Sequence, residues 1–207
     1  MKIRCTVGID EVGRGPLAGP VSVGIFLIQN KNLKNQEIKS LVKVANDSKK
    51  LSPKKREEIF EKVKLLQKSN LLQYIVVNQS ASFIDKKGIN TAISFCIKNG
   101  LKKLKVLPKE TQVYLDGGLK ADKKYLYQET IIKGDAKNKF IALASIVAKV
   151  SRDKLMTKIS KMYPEYGFEV HKGYGTAKHR KAIQKYGVSK VHRLSFCKSI
   201  DFSEPLV

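Results

Sequence analysis

Gly8-Ile9-Asp10-Glu11-Val12-Gly13-Arg14-Gly15-Pro16-Leu17-Ala18-Gly19 sets two adjacent carboxylates, then an arginine between glycines, at the end of an alternating stretch. Upstream, Ile3, Cys5, Val7 and Ile9 alternate with Arg4, Thr6 and Gly8, the two-residue period of a pleated strand. Continued regularly, the pattern puts Glu11 on the face of Val7 and Ile9, and Asp10 on the opposite face. The two acids then share one site only if the chain bends directly afterwards, and Gly13 and Gly15 permit such a bend. Residues 20–28, downstream, are β-branched and strand-like, without helical periodicity. That excludes a dinucleotide-binding loop, whose glycines must open a helix with its N-terminus on the phosphate. A plain hairpin turn remains open as a structural reading of the same glycines.

Further along, residues 29–46 read as a polar, lysine-rich surface connection with one short helical turn. Ser52 and Pro53 are the cap and first position of a helix to about Leu66, with Ile59, Phe60, Val63 and Leu66 on its inner face. A strand is predicted over 72–77 and a helix over 89–104, with Asn90 beside the apolar stripe of that helix. A short strand over 111–115 ends at Asp116-Gly117-Gly118, which alone reads as a turn but sits where open α/β sheets place their sites. Another strand over 125–133 leads to Gly134-Asp135, where Asp135 stands as N-cap of a long helix over 136–162. On that helix Ser145, Lys149 and Arg152 recur on one face, a solvated stripe or a functional one. The end of the chain carries His171-Lys172-Gly173-Tyr174, a short helix over 177–186, and histidines 171, 179 and 192 that read as late and unpaired.

Composition narrows the function classes. The 207 residues suffice for one domain with a full core. Cys5, Cys96 and Cys197 form neither a zinc pattern nor a disulfide framework, no stretch is long and apolar enough for a membrane, and a cytoplasmic protein is expected. The net charge of +23 points to a polyanion, nucleic acid ahead of membrane, although 35 lysines against 6 arginines also fit biased coding composition. Arginine is the more informative cation, because its fork holds phosphate through two hydrogen bonds, and Arg14 lies inside the organising stretch.

Asp10, Glu11, Asp116 and Asp135 all fall at ends of elements in a strongly basic chain. Clustered carboxylates suit hard divalent ions such as Mg²⁺ or Mn²⁺, and a pair of ions about 4 Å apart serves phosphodiester hydrolysis. Neither a G-x-S-x-G motif nor a thiol-protease arrangement competes. Together with Asp47-Ser48-Lys49-Lys50-Leu51-Ser52, Lys133-Gly134-Asp135, 144–153 and His171-Lys172-Gly173-Tyr174, these stretches follow the motif order of bacterial ribonuclease HII, the type 2 ribonuclease H, which the sequence resembles over nearly its whole length.

The resemblance implies an α/β fold of the ribonuclease H-like kind: a mixed central sheet flanked by helices, with 163–207 as a C-terminal helical extension of a single domain spanning 1–207. It implies an endoribonuclease that cuts the RNA strand of RNA/DNA hybrids and cuts 5′ of ribonucleotides embedded in duplex DNA, leaving 3′-hydroxyl and 5′-phosphate ends; a monomer is expected. Its metal-binding catalytic acids carry over to Asp10, Glu11, Asp116 and Asp135, and its substrate contacts to Gly13, Arg14, Gly15, Lys49, Ser145, Lys149 and Tyr174. The alternative of another class is a non-catalytic nucleic-acid-binding protein of the same fold.

Overall fold

The computed structural model of the chain describes residues 2–45 and 51–200. Five strands form one sheet in the order β3-β2-β1-β4-β5. The hairpin of β1 (Cys5–Val12) and β2 (Val21–Gln29) is antiparallel and forms its centre. Position in the sheet explains why β2 reads as a continuous apolar run: it is covered on both faces and buried from Val21 to Ile28.

The lysine-rich connection contains more structure than its composition indicates. A 3₁₀ turn, Asn30–Lys34, precedes α1 (Gln36–Val44), where Asn35 caps the amides of Glu37 and Ile38 while Ile38 and Leu41 are buried. Two apolar residues one turn apart suffice to seat a nine-residue helix, which polar neighbours hide from a composition-based reading. Then come α2 (Pro53–Lys68), capped by Ser52 as expected, β3 (Gln73–Gln79) antiparallel to β2, α3 (Ala81–Lys87) and α4 (Ile89–Lys103). The separate helix α3 was not anticipated; Ser80 caps it, and Gly88 ends it at a left-handed φ of +80°.

Two parallel strands follow on the other side of β1: β4 (Thr111–Asp116) against β1, and β5 (Gln128–Ile131), shorter than predicted, against β4. The turn α5 (Gly134–Lys137) precedes α6 (Lys139–Met162). Asp135 therefore is not the cap of the long helix. Asn138 takes that role, accepting from the amides of Phe140 and Ile141 at 2.9 and 3.3 Å. The chain continues with α7 (Phe168–His171) and α8 (Ala177–Tyr186).

Helix α6 lies directly on the backbone of the central hairpin. A Cβ on Gly8 would strike the Phe140 carbonyl, and one on Gly24 the Ala144 carbonyl, so these two glycines set the close approach. One core fills the α4 side of the sheet, with Val7, Ile9, Ile25, Ile93 and Ile97 among its members. A second, including Phe26, Ile38, Phe60 and Ile146, fills the α6 side. A third lies under the 13–20 loop, where Leu17, Ala18 and Met156 meet Tyr166, Phe168 and Ile183 from the C-terminal portion. No helix among the described residues is long and apolar enough to cross a membrane.

Candidate active site

Strand β1 outruns its parallel neighbour. Its pairing with β4 ends at Ile9↔Leu115, whereas its pairing with β2 continues regularly to Val12↔Ser22. Asp10 and Asp116 are the next residues on the two parallel strands, side by side where the ladder stops. A bend is thus not what unites Asp10 and Glu11. The two acids keep the opposite faces that alternation assigns them, and the missing β4 partner opens one cavity, of about 320 Å³, onto both.

That cavity is lined by Asp10, Glu11 and Asp116, by Gly13, Arg14 and Gly15, and by Ser145, Lys149 and Tyr174. Asp10 is 5% exposed; its Oδ1 accepts the Glu11 amide at 2.7 Å, and the Ser145 hydroxyl bonds its carboxyl from α6. Burial first, then the charges of Asp116 and Glu11, pushes the Asp10 carboxyl well above the usual carboxylate range against the pull of Ser145. Glu11 is also raised by burial, with the Arg14 guanidinium pulling the other way. Arg14 reaches Glu11 Oε1 at 3.3 Å and donates to Asn90 Oδ1 on α4 at 2.5 Å. Asp116 Oδ1 accepts the amide of Gly134 at 2.6 Å, which ties β4 to the turn that carries Asp135. Asp135 itself is buried beside this junction and does not line the cavity. Lys149 is paired with Asp153 at 2.9 Å, and Tyr174 is 42% exposed. Lys49, with its motif, lies outside the described residues.

The family model described as Ribonuclease HII matches residues 7–199. The chain belongs to the ribonuclease HII family. Ribonuclease HII of Caldicellulosiruptor bescii is 43% identical over 197 residues, covering 95% of this chain and 88% of the relative; that of Endomicrobium trichonymphae is 45% identical over 190 residues, covering 91% and 83%. The crystal structure of ribonuclease H2 from Pyrococcus horikoshii OT3 superposes with a TM-score of 0.68 at 25% identity, covering 92% of this chain and 93% of that one. The mixed five-stranded sheet with flanking helices is accordingly the ribonuclease H-like fold. As a ribonuclease HII family member the chain is a nuclease, an endoribonuclease acting on RNA/DNA hybrids, and dependent on a divalent metal.

The donor chemistry fits such an ion. Three carboxylates face one cavity, and Glu11 Oε2 is buried with no hydrogen-bond partner among the described residues, a position that a hard cation would satisfy. Among the described residues no three acids, histidines or cysteines stand at metal-ligand spacing, so the side chains as placed do not form a closed cage.

Two residues of the ribonuclease HII site lay outside the sequence-based set. Arg56 on α2 lines the cavity, and Asn90 holds Arg14. Arg56 sits among ordinary helix charges, and only the packing of α2 toward the site distinguishes it. Arg152 requires the opposite correction. It shares the helix face of Ser145 and Lys149 but, unlike them, does not line the cavity: it is fully buried and donates to the carbonyls of Pro20, Lys172 and Ala18. A change from hydroxyl and ammonium to a carbonyl-seeking fork along one helix face was invisible to spacing.

The histidines also need correcting, because they are packed together. The His171 and His179 rings stack with centroids 4.3 Å apart, and His179 Nε2 lies 3.1 Å from His192 Nε2. The network assigns the protons. The Ser189 amide donates into His192 Nδ1, so His192 carries its proton on Nε2 and donates to His179, whose Nδ1–H donates to the Tyr174 carbonyl at 2.9 Å. His179 and His192 are neutral in this arrangement, and burial holds both down to about 4. A second cavity, of about 310 Å³, is lined by Leu101, Val106, Leu107 and Tyr125 with the single acid Asp122, and carries no comparable constellation.

Proposed function

We propose that the enzyme hydrolyses the RNA strand of hybrids and incises duplex DNA on the 5′ side of an embedded ribonucleotide, leaving 3′-hydroxyl and 5′-phosphate ends. The observation that carries this reading is the single cavity where Asp10, Glu11 and Asp116 meet the Gly13-Arg14-Gly15 loop and the exposed Tyr174 ring. Asp10, Glu11, Asp116 and Asp135 would hold two divalent ions, Mg²⁺ or Mn²⁺, which when bound supply an activated water and stabilise the leaving oxygen.

The chain's own groups account for the rest. Ser145 orients the Asp10 carboxyl, and the Gly134 amide fixes one oxygen of Asp116 at the edge of the cavity. Arg14, held by Glu11 and Asn90, presents its fork to a phosphate. Lys149 and Arg56 add positive charge at the cavity, the Tyr174 ring supplies a flat surface against the sugar next to the ribonucleotide, and Lys49, outside the described residues, is a further substrate contact implied by the family resemblance. The domain acts as a monomer in the cytoplasm, where its three cysteines remain thiols. The test is a labelled duplex containing one ribonucleotide, incubated with and without Mg²⁺ or Mn²⁺. Cleavage at the 5′ side of that nucleotide only with metal is expected, and metal-independent cutting or cutting of the all-DNA control would overturn the reading.

A further inference from the structure

Arg193 follows the last histidine and is fully buried, at 0% exposure. Its guanidinium donates from Nε to the Gly19 carbonyl at 2.9 Å, from Nη1 to Arg14 at 2.9 Å and from Nη2 to Gly13 at 2.7 Å. Arg152 grips the far side of the same loop through the Pro20 and Ala18 carbonyls. Neither forms an ion pair among the described residues. Two fully buried guanidiniums are a costly way to hold a loop: burial lowers the pKa of both, and the charge of Arg152 lowers Arg193 further against the opposing pull of Asp85. Stability alone gives no reason for the arrangement.

Peptide geometry carries its effect to the other side of the loop. No peptide bond described is cis, so each carbonyl and the N–H that follows it point in opposite directions. With the Gly13 and Arg14 carbonyls turned inward onto Arg193, the amides of Arg14 and Gly15 turn outward. Both residues line the acidic cavity, and neither amide has a main-chain partner among the described residues. Gly13 must be glycine for internal reasons, since its φ is +85° and a Cβ would strike Arg152. Gly15 has no such reason: its φ is not left-handed, and nothing lies within 4 Å of where its Cβ would stand. Its bareness makes sense if something outside the chain comes up against the main chain.

We propose that Arg193 is a positioning residue for substrate recognition: by gripping the Gly13, Arg14 and Gly19 carbonyls it presents the Arg14 and Gly15 amides as a paired donor for one oxygen of the nucleic acid, a ribose hydroxyl or a phosphate. Arg152 is the second anchor. The inference rests on the proposed function, in that the cavity must receive a nucleic acid.

The test compares the wild type with Arg193→Lys, which keeps the charge but offers one ammonium where a fork reached three carbonyls, and with Gly15→Ala, for which the fold has room. Binding to a duplex with one ribonucleotide and to the same duplex in DNA is read by fluorescence anisotropy without metal, cleavage is measured in Mg²⁺, and melting is followed by circular dichroism. Arg193→Lys is expected to weaken binding and raise KM about tenfold, the worth of one or two hydrogen bonds, with kcat per folded molecule changing by less than about threefold. Gly15→Ala should do the same at the wild-type melting temperature. Loss confined to the ribonucleotide duplex assigns the oxygen to the ribose, and equal loss on both duplexes assigns it to phosphate; either supports the positioning role. An Arg193→Lys protein that melts lower yet keeps the wild-type affinity and KM would reduce Arg193 to structural support and overturn the proposal, as would wild-type affinity in Gly15→Ala. Should Arg193→Lys fail to fold, Gly15→Ala decides alone. A wild type that binds both duplexes and cuts neither would overturn the proposed function, leaving the anisotropy data to decide the role of Arg193.

Discussion

Charge is buried twice in this molecule, on either side of one loop, and to opposite effect. At the end of β1, Asp10, Glu11 and Asp116 crowd one cavity, and a buried Glu11 oxygen is left without a partner among the described residues. Beneath the loop, Arg152 and Arg193 are as deeply buried, yet each fork spends its donors on main-chain carbonyls. The fold satisfies the cations with its own carbonyls, whereas among the cavity acids it leaves one oxygen, Glu11 Oε2, without a hydrogen-bond partner among the described residues. The proposed ion site and the rigid underside of the loop differ in that respect.

The largest effect should come from the anionic side. Asp116→Asn is expected to reduce cleavage by on the order of a thousandfold while preserving the fold and duplex binding, because the proposed ion site would lose one donor. Hybrid cleavage at the wild-type rate would remove Asp116 from the chemistry. EDTA should silence the wild type equally.

Stability should separate the two regions by sign. Arg152→Met strands three carbonyls and is expected to cost about 3 kcal/mol, seen as a fall in Tm. Asp10→Asn should do the reverse. A carboxyl raised in the folded state is penalised at every pH above that raised value, and the penalty disappears as pH falls below the unfolded value. At pH 7 the variant should therefore gain about 1 kcal/mol in the absence of metal, and added Mg²⁺ or Mn²⁺ should stabilise the wild type more than the variant. Equal and same-signed shifts in the two variants would erase the contrast.

The histidine pair lies next to the cationic region and sharpens it through pH. His179 and His192 stay neutral in the fold down to about 4, whereas in the unfolded chain they take protons near the ordinary histidine value. Their contribution is present above about pH 6.5 and is lost as pH falls toward 4, on the order of 1 kcal/mol per pH unit after allowance for solvent. Thermal melts of wild type and His192→Asn between pH 7 and 5 should show the steeper decline in the wild type; parallel declines would assign acid sensitivity elsewhere.

The smallest expected effect concerns the rim between the regions. Tyr174→Ala should lower cleavage at a single embedded ribonucleotide several-fold more than cleavage within a long RNA strand, since the exposed ring is the surface offered to the neighbouring sugar. Equal losses on the two substrates would make Tyr174 a packing residue of the turn.

Most of the sheet, α2, α4, α6 and α8, and three of the four acids at one cavity were legible in the sequence, because strand alternation, helix periodicity and capping are local signals. Helix α1 was hidden because only Ile38 and Leu41 mark its inner face, and Asn138 was passed over as the cap of α6 because Asp135, three residues earlier, offered the same chemistry. Asp10 and Glu11 do meet at one cavity, but by a device other than the expected bend. Alternation fixes which face each occupies; it says nothing about where a neighbouring strand stops, and it is the end of β4 that opens the cavity to both. Arg152, Arg193 and the histidines were beyond sequence reasoning for a related reason. Their partners are one another or backbone carbonyls, and a carbonyl is the same group at every residue, so no side-chain pattern announces which ones a buried donor will meet. Local period and residue type settled the elements and the reactive groups; the meeting of chemically anonymous main-chain atoms across 174 to 180 residues of sequence is decided only by the packing of the C-terminal portion beneath the loop in the third core.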